Sequence, residues 1–400
     1  MKVVQINACY GYGSTGIIVR DLQDICINNG IECEVVFQKS KGIVRHGYKM
    51  GNLISNKLHA FLSRISGKQG YFSVLSTIKL LRWLDHYEPS IIHLHNLHSC
   101  YVNLPLLLKY ASKHQIPIVA TLHDCWFYTG GCSHYTSVGC NKWLNNCGEC
   151  PLRYKETPAY LFDSSAKILN DRKMLFSAVK NLVGVGVSNW IIESAQRTVF
   201  YGRDNLVIHN GIDLEFFHIV DSDFRERYNL QNKKIILAPA NKWFLDINRE
   251  TFDYFASRLT KDMCMIFIGD GCVTEWLTDK MLSLGYLSSR EDIRDVYCAA
   301  DVMVNCTREE SLSLLNIEVQ ACGTPVITYS NTGVKETVDE VCGFSIENGN
   351  SAAMWDKTIE ILLKGKEFYQ VDCVNWVNKN FNKNNNYKMY IELYKRIVSF

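Results

Sequence analysis

Hydrophobic residues in this chain form short, nearly unbroken runs of strand length, and longer stretches with helical periodicity separate them. A strand that is apolar on both faces belongs to a parallel sheet covered by helices on both sides. The pattern predicts helices at residues 15–28 and 104–114. The predicted strands of the first half are residues 3–9, 33–38, 91–95, 118–121 and 182–187.

The second half of the chain repeats this alternation after a polar, irregular stretch at residues 199–232. Its predicted strands are residues 234–238, 263–268, 302–305, 326–329 and 343–346. We therefore expect an α/β protein with two Rossmann-like, doubly wound parallel-sheet domains at 1–205 and 206–380. An amphipathic helix at 381–400 is expected to pack back toward the first domain. Two such domains facing each other leave a cleft at the carboxyl ends of their strands, where ligands bind.

The composition and the net charge of the chain exclude some classes of function. The chain has 400 residues with a formal net charge of only +2, which predicts no nucleic-acid partner. No apolar run is long enough to span a bilayer, and the N-terminus has the pattern of a core strand and not of a signal peptide. These features predict a cytoplasmic protein whose 16 cysteines are mostly reduced thiols.

Charge is unevenly distributed, because residues 39–82 contain no Asp or Glu but many Lys and Arg. Aromatic and aliphatic residues, such as Phe61, Tyr71 and Leu75, lie between these basic residues, and Trp83 follows the last of them. Such a region suits anionic lipid headgroups or an anionic acceptor. The alternative is an ordinary solvated helical face.

The first predicted strand leads into a glycine-rich loop, Gly11-Tyr-Gly13-Ser-Thr-Gly16, which opens a helix. Glycines allow close backbone approach to a phosphate, and the helix N-terminus favours anions. A dinucleotide site would need a carboxylate at the end of the second strand, but that strand ends in Gln38. The loop therefore indicates the border of an active cleft, with a plain tight turn as the alternative.

A second motif lies between two predicted strands of the second half. Glu310 stands in a loop, a serine cap at Ser311 or Ser313 begins a short helix that contains Glu318, and Gly323 and Pro325 end it. The helix N-terminus suits a diphosphate. Two separated carboxylates can each accept hydrogen bonds from a polyol, as a nucleotide sugar requires.

The Glu310/Glu318 pair has the E-x7-E pattern, and this segment resembles retaining GT-B glycosyltransferases, most closely glycosyltransferase family 4. Further matching pieces are Asn210-Gly-Ile-Asp213, Ile268-Gly-Asp-Gly271, Tyr297-Cys-Ala-Ala-Asp301, His93-Leu-His95-Asn-Leu-His98 and Thr121-Leu-His-Asp124. The resemblance implies two Rossmann-like domains and transfer of a sugar with retention, without a protein nucleophile or a required cofactor.

The resemblance also implies roles for individual residues. The expected catalytic residues are His123, in positioning and electrostatics, and Glu310, on the transferred sugar. The donor-binding residues expected are Gly13, Gly16, Lys242, Arg249, Gly269, Leu314, Leu315 and Glu318. The acceptor-binding residues expected are Ser14, Thr15 and Asp124. The family's basic pair follows a G-R…K-G pattern, from which this chain departs, so Lys242 and Arg249 are substitutes for it. His93, His95 and His98 are expected to be structural or loop histidines.

Four cysteines follow the Thr121–Asp124 motif, namely Cys132, Cys140, Cys147 and Cys150. Four thiolates are enough for a tetrahedral structural zinc site, and His134 is a possible substitute ligand. Disulfides and free thiols are the alternatives. The segment also resembles a cysteine-bearing insertion of one branch of the family.

Together these observations predict transfer of a sugar from a UDP- or GDP-sugar to a glycan or lipid-linked oligosaccharide in capsule or lipopolysaccharide assembly. The basic region at 39–82 would provide peripheral contact with the inner membrane. Two alternatives remain: a nucleotide-sugar epimerase on the same scaffold, and a zinc-stabilised binding protein without turnover.

Overall fold

The computed structural model describes residues 1–42, 44–155 and 158–399. The chain divides into two compact units. Unit 1 comprises Met1–Asn210 and Asn384–Phe400, and unit 2 comprises Gly211–Lys383. The chain thus passes from one unit to the other twice, at positions five residues and three residues beyond the boundaries expected from sequence (205 and 380).

Unit 1 is built on a parallel sheet with the strand order β3-β2-β1-β4-β5-β6-β7. Its strands are β1 (Lys2–Tyr10), β2 (Glu32–Ser40), β3 (Gly47–Lys49), β4 (Ile91–Leu94), β5 (Ile118–Leu122), β6 (Leu182–Gly186) and β7 (Leu206–Val207). Its helices are α1 (Gly13–Asn28), α2 (Leu53–Ser66), α3 (Val74–Tyr87), α4 (Leu104–Lys113), α5 (Ser165–Ser177) and α6 (Asn189–Ala195). The order reverses between β1 and β4, so the loops after these strands border a crevice of the kind that binds ligands.

Unit 2 has a second parallel sheet with the order β10-β9-β8-β11-β12-β13. Its strands are β8 (Lys234–Pro239), β9 (Met263–Ile268), β10 (Met281–Gly285), β11 (Val302–Asn305), β12 (Val326–Tyr329) and β13 (Gly343–Ile346). Its helices are α7 (Phe224–Arg227), α8 (Ala240–Trp243), α9 (Arg249–Ala256), α10 (Arg290–Ala299), α11 (Leu314–Ala321), α12 (Ser351–Lys364) and α13 (Glu367–Phe381). Here the order reverses between β8 and β11.

The last helix, α14 (Lys383–Val398), belongs to unit 1 from Asn384 onward. Its apolar face is buried, and this face carries Tyr387, Tyr390, Ile391, Leu393 and Tyr394. Near its end Arg396 forms an ion pair of 2.7 Å with Asp204. Burial of several aromatic side chains fixes this helix more firmly than its propensity alone would.

Gly211 lies where the chain leaves unit 1, beside the returning segment. A Cβ atom at this position would lie 2.2 Å from the Cα of Lys383. The two segments are also joined by an ion pair of 3.0 Å between Lys383 and Asp213 and by a parallel bridge between Ile212 and Asn382. The Asn210–Asp213 motif therefore has a structural reason, because only glycine allows this close approach.

All ten strands expected from the apolar runs are present, with ends that differ by at most two residues. The pattern missed β3, β7 and β10, and each of these lies at an edge of its sheet. An edge strand is covered less completely, so it needs no continuous apolar run. The five residues of β10, for example, are all half-buried.

Candidate functional site

A pocket of about 560 Å³, including space open to solvent, lies at the carboxyl edge of the unit 2 sheet. It is lined by Pro239, Asn241, Ile268, Gly269, Tyr286, Leu287, Ile293, Tyr297 and Leu315. These residues follow or end β8, β9 and β10, or lie on α10 and at the start of α11. The pocket is thus next to the point where the strand order reverses.

Gly269 and the loop after β10 form one wall of this pocket. Gly269 has a φ of +87°, and its amide donates a hydrogen bond of 2.8 Å to the carbonyl of Gly285. Tyr286 follows Gly285 and is 73% exposed, so its ring is available to a ligand.

Glu318 is on α11, one turn after Leu315, and is held by Tyr297 from α10. The Tyr297 hydroxyl donates a hydrogen bond of 3.3 Å to Glu318 Oε2. Burial raises the pKa of Glu318 to about 7, although the Tyr297 hydrogen bond and the charge of Arg290 oppose this shift. Since Tyr297 also lines the pocket, the carboxyl group lies beside the pocket wall.

Glu310 lies in the loop between β11 and α11, and its backbone is fixed at both polar atoms. Its amide donates to Thr332 Oγ1 at 3.2 Å, and its carbonyl accepts from the amide of Gly333 at 3.2 Å. Arg308 holds the same loop by donating to Asn248 Oδ1 at 2.7 Å. A loop fixed in this way can present a carboxylate in one position.

The N-terminus of α11 is not capped by a side chain. Ser313 occupies the N-cap position with extended backbone, but its side chain makes no cap hydrogen bond. Its hydroxyl instead accepts a hydrogen bond of 3.4 Å from Asn305 Nδ2. The same nitrogen donates a hydrogen bond of 2.8 Å to Asn316 Oδ1. Leu314 and Leu315 are thus the first residues of a helix whose N-cap side chain makes no cap hydrogen bond. Helix N-termini of this kind can bind phosphate through their amides.

The two basic candidates, Lys242 and Arg249, are absent from the pocket lining among the described residues. The guanidinium of Arg249 forms an ion pair of 2.9 Å with Asp253 and lies 4.0 Å from the ring centroid of Trp276. Lys242, half-buried on α8, is one residue from Asn241, which does line the pocket. Contact with a diphosphate stays a prediction for both residues.

Unit 1 gathers its candidates at the carboxyl edge of β1, β4 and β5. The loop after β1 is closed by a hydrogen bond of 2.9 Å from the amide of Gly11 to the carbonyl of Gly16. Gly13 begins α1 with a φ of +64°, and a Cβ on Gly16 would lie 3.2 Å from backbone atoms of Cys9. Ser14 is exposed and Thr15 is half-buried in the first turn of this helix.

His123 and Asp124 follow β5 directly. Asp124 accepts a hydrogen bond of 3.0 Å from His98 Nε2 and one of 2.8 Å from the amide of Trp126. Burial by itself raises the pKa of Asp124, but these partners outweigh it, so the pKa is lowered. Burial lowers the pKa of His123 to about 4. The ring is therefore neutral near pH 7 and lies at 3.0 Å from His95, a contact that the sequence did not indicate.

Two family models match the chain in succession. Residues 17–216 match the model described as "Glycosyltransferase Family 4", and residues 245–364 match the model described as "Glycosyl transferases group 1". The first match covers half of the chain. The chain belongs to glycosyltransferase family 4.

Relatives of this family 4 chain agree with that assignment. It is 22% identical to the putative colanic acid biosynthesis glycosyl transferase WcaC of Escherichia coli over 86% of this chain and 87% of that protein. Sucrose-phosphate synthase from Thermosynechococcus elongatus superposes with a TM-score of 0.70 at 17% identity, covering 100% and 99% of the two chains. The structure of Anabaena Alr3699/HepE in complex with UDP-glucose superposes with a TM-score of 0.64 at 14% identity. The superposition covers 99% of this chain and 100% of that chain. The family 4 chain is thus a glycosyltransferase with the GT-B fold.

The family 4 chain carries its four clustered cysteines around one cavity of unit 1. Cys132, Cys140, Cys147 and Cys150 line it together with the buried ring of Trp143. Burial raises the pKa of Cys132 to about 12, and the neighbouring cysteines add to this shift. Within the described residues, no three His, Cys, Asp or Glu side chains form a group that could hold a metal ion. Structural zinc therefore stays a prediction.

Over the described parts of the chain, no helix combines the length and the apolar character needed to cross a bilayer.

Proposed function

We propose that this glycosyltransferase moves a sugar from a UDP- or GDP-sugar to a glycan or lipid-linked oligosaccharide, with retention, in surface polysaccharide biosynthesis. The observation that carries the proposal is the unit 2 pocket, where the start of α11 and the Tyr297–Glu318 pair meet at the carboxyl edge of the sheet. In this proposal the amides at Leu314 and Leu315 bind the diphosphate, Glu318 accepts from the ribose hydroxyls, and Glu310 accepts from the transferred sugar.

The relatives support the donor class and the setting. The HepE structures contain UDP or UDP-glucose, and WcaC is described as a colanic acid biosynthesis enzyme. Another structure similar to this chain, at a TM-score of 0.59 and 11% identity, is WaaG, a glycosyltransferase of lipopolysaccharide biosynthesis.

The chemistry proposed for transfer is electrostatic. The departing nucleotide diphosphate develops negative charge, which helix-terminal amides and a nearby cation such as Lys242 stabilise. His123 is neutral near pH 7 and contributes a hydrogen bond, not a positive charge. The acceptor hydroxyl attacks the anomeric carbon as the bond from that carbon to the phosphate oxygen breaks, and the departing phosphate takes the hydroxyl proton. No residue of the chain then has to act as nucleophile or as general base.

A panel of UDP- and GDP-sugars, each incubated with and without a mixture of lipid-linked acceptors, tests this function. The expected result is release of nucleotide diphosphate that depends on the acceptor, with a product of the same anomeric configuration as the donor by NMR. Isomerised donor without release would favour an epimerase, and binding without turnover would favour a non-catalytic protein. Product with inverted configuration would contradict retention.

We further propose that α2 and α3 contact an anionic membrane. Large apolar side chains on these helices are strongly exposed, among them Ile54 at 78% and Leu75 at 77%. Basic residues Lys57 and Lys79 are on the same two helices, and the surrounding segment 39–82 has no acidic residue. Apolar insertion combined with cationic attraction is the usual requirement for reversible binding to anionic lipid.

Sedimentation with vesicles tests this contact. The variant with Ile54→Asp and Leu75→Asp should lose most of its binding to phosphatidylglycerol vesicles, and wild-type protein should bind phosphatidylcholine vesicles weakly. Leu363→Asp is the matched control, since Leu363 is 82% exposed on α12 of unit 2. Equal binding by the double variant and the control would contradict the proposed contact.

A further inference from the structure

Three histidine rings of unit 1 lie in a row at the carboxyl edge of its sheet. The ring centroids of His93 and His95 are 4.0 Å apart, and those of His95 and His123 are 5.3 Å apart. His93 and His95 are completely buried. Buried polar rings normally have hydrogen-bond partners, and both of these rings do. The hydrogen bonds around this row determine which nitrogen of each ring carries a proton.

The first fixed point is Gln5, a fully buried residue of β1. Its side-chain amide nitrogen donates to the carbonyl of Val19 at 3.2 Å and to Cys33 Sγ at 3.3 Å. A backbone carbonyl can only accept, so the NH2 group must face Val19. The Gln5 carbonyl oxygen therefore faces the other way, toward His95 Nε2 at 3.1 Å.

The amide oxygen of Gln5 can only accept, so His95 Nε2 must carry a proton. Burial, reinforced by repulsion from His93 and His123, lowers the pKa of His95 well below its ordinary value. The ring is neutral and holds one proton, which leaves His95 Nδ1 as an acceptor. This atom lies 3.0 Å from His123 Nε2, which must then be the donor.

We propose that Gln5 and His95 are positioning residues that lock His123 in the Nε2–H tautomer, so that its Nδ1 presents a lone pair to a ligand. The titratable groups that act on His123 besides His95 are His93, Asp124 and His98. Burial has the largest effect and lowers the pKa of His123, His98 lowers it further and Asp124 raises it, so the ring is neutral near pH 7. Resting on the proposed function, Nδ1 would accept a hydrogen bond from a sugar hydroxyl.

The hydrogen-bond partners of His93 do not fix its tautomer, in contrast to those of His95 and His123. Its nitrogens contact Thr121 Oγ1 at 2.7 Å and the Tyr394 hydroxyl at 2.6 Å. A hydroxyl can donate or accept, so these partners fit either tautomer. Gln5 differs because its orientation is dictated by a carbonyl, and the restriction passes from Gln5 through His95 to His123.

The tautomers are read directly from long-range ¹H–¹⁵N spectra of ¹⁵N-labelled protein at pH 7, without any substrate, with His123→Asn used for assignment. The expected result is His123 with its proton on Nε2 and no titration of this ring down to about pH 5. A His123 signal of the Nδ1–H form, or of a ring that is protonated at pH 6.5, would overturn the proposal.

Gln5→Met tests whether Gln5 sets the tautomer. It leaves the His95 Nε2 proton without an acceptor, so the proton should move to Nδ1, and His123 should shift toward the Nδ1–H form. Gln23→Met is the matched control, because Gln23 is an equally buried amide of unit 1 that bonds to Cys33, His46 and Tyr10. An unchanged His123 tautomer in folded Gln5→Met would overturn the role of Gln5.

Transfer kinetics supply a separate measurement. Gln5→Met should lower kcat about 5- to 20-fold with little change in KM for the donor, whereas Gln23→Met should not. If the tautomers are as expected but neither variant changes kcat, the lock stands and the role of His123 in the proposed function fails. If Gln5→Met does not fold, the tautomer of His123 in the wild-type protein is the test: the Nε2–H form supports the proposal and the Nδ1–H form overturns it.

Discussion

Units 1 and 2 have the same architecture, but different types of residue lie at the carboxyl edges of their sheets. Of the 11 histidines in the chain, only His218 lies in unit 2, where it is exposed. Unit 1 lines its edge with neutral imidazoles that are connected by buried hydrogen bonds. Unit 2 uses glycine and helix-terminal amides together with Glu310 and Glu318. The same switch-point geometry therefore supports a polar network in one unit and, in the function that we propose, an anion site with carboxylates in the other.

The largest expected effect follows from removing the carboxylates of unit 2. Glu310→Ala and Glu318→Ala should each lower transfer roughly 100-fold or more, as is typical when a preorganised electrostatic contact is lost. Circular dichroism and the melting temperature should show that the fold persists. The matched control is Glu309→Ala, which removes the neighbouring carboxylate of the same loop. Full activity in both glutamate variants would show that these residues do not form the site.

The dependence of stability on pH should have opposite signs in the two units. In unit 1, burial lowers the pKa of His59 to about 4 from 6.5. The unfolded chain then binds more protons, and stability present above pH 6.5 is lost as the pH falls toward 4. In unit 2, burial raises the pKa of Glu318 to about 7 from 4.5, so stability present below pH 4.5 is lost as the pH rises toward 7.

Hydrogen exchange at pH 7.5 and 4.5 measures this contrast unit by unit. Acid should weaken protection in unit 1, with His59 contributing about 2–3 kcal/mol, because one pKa unit corresponds to about 1.4 kcal/mol. His59→Gln should reduce this dependence, and His86→Gln, which changes an exposed histidine of the same unit, should not. A loss of protection in acid that is equal in both units would contradict the assignment.

The smallest expected effect on transfer concerns the cysteine cavity, whose lining includes none of the three histidines of the row. Protein purified without chelator should contain about one equivalent of zinc, bound by the four thiolates. Cys150→Ser should lose the metal and melt at a lower temperature, while Cys272→Ser, a half-buried cysteine of unit 2, should retain it. Transfer should fall less than tenfold in both. Absence of zinc from the wild-type protein would remove the prediction.

Much of the candidate site in unit 2 follows from the sequence, because its residues are close together in the chain. Glu310, the start of α11 and Glu318 lie within nine consecutive residues, so a strand–loop–helix pattern places them at one sheet edge. Asn241, Tyr286 and Ile293 come from separate strands and helices, and only the sheet order brings them to the same pocket. Arg249 shows the limit of the sequence argument, since its partners Asp253 and Trp276 were not foreseen.

The sequence by itself determined the fold class, the ten covered strands and the family, because apolar runs, helix caps and short motifs are local properties of the chain. Tertiary structure decided the edge strands, the connection of His123 through His95 to Gln5, and the burial of α14. Gln5 and His95 are 90 positions apart in the chain. The pattern of apolar and polar residues does not indicate that this buried amide faces this histidine ring. Hydrogen bonds between neighbouring strands depend on sheet order and register, and these arise only when the whole chain packs.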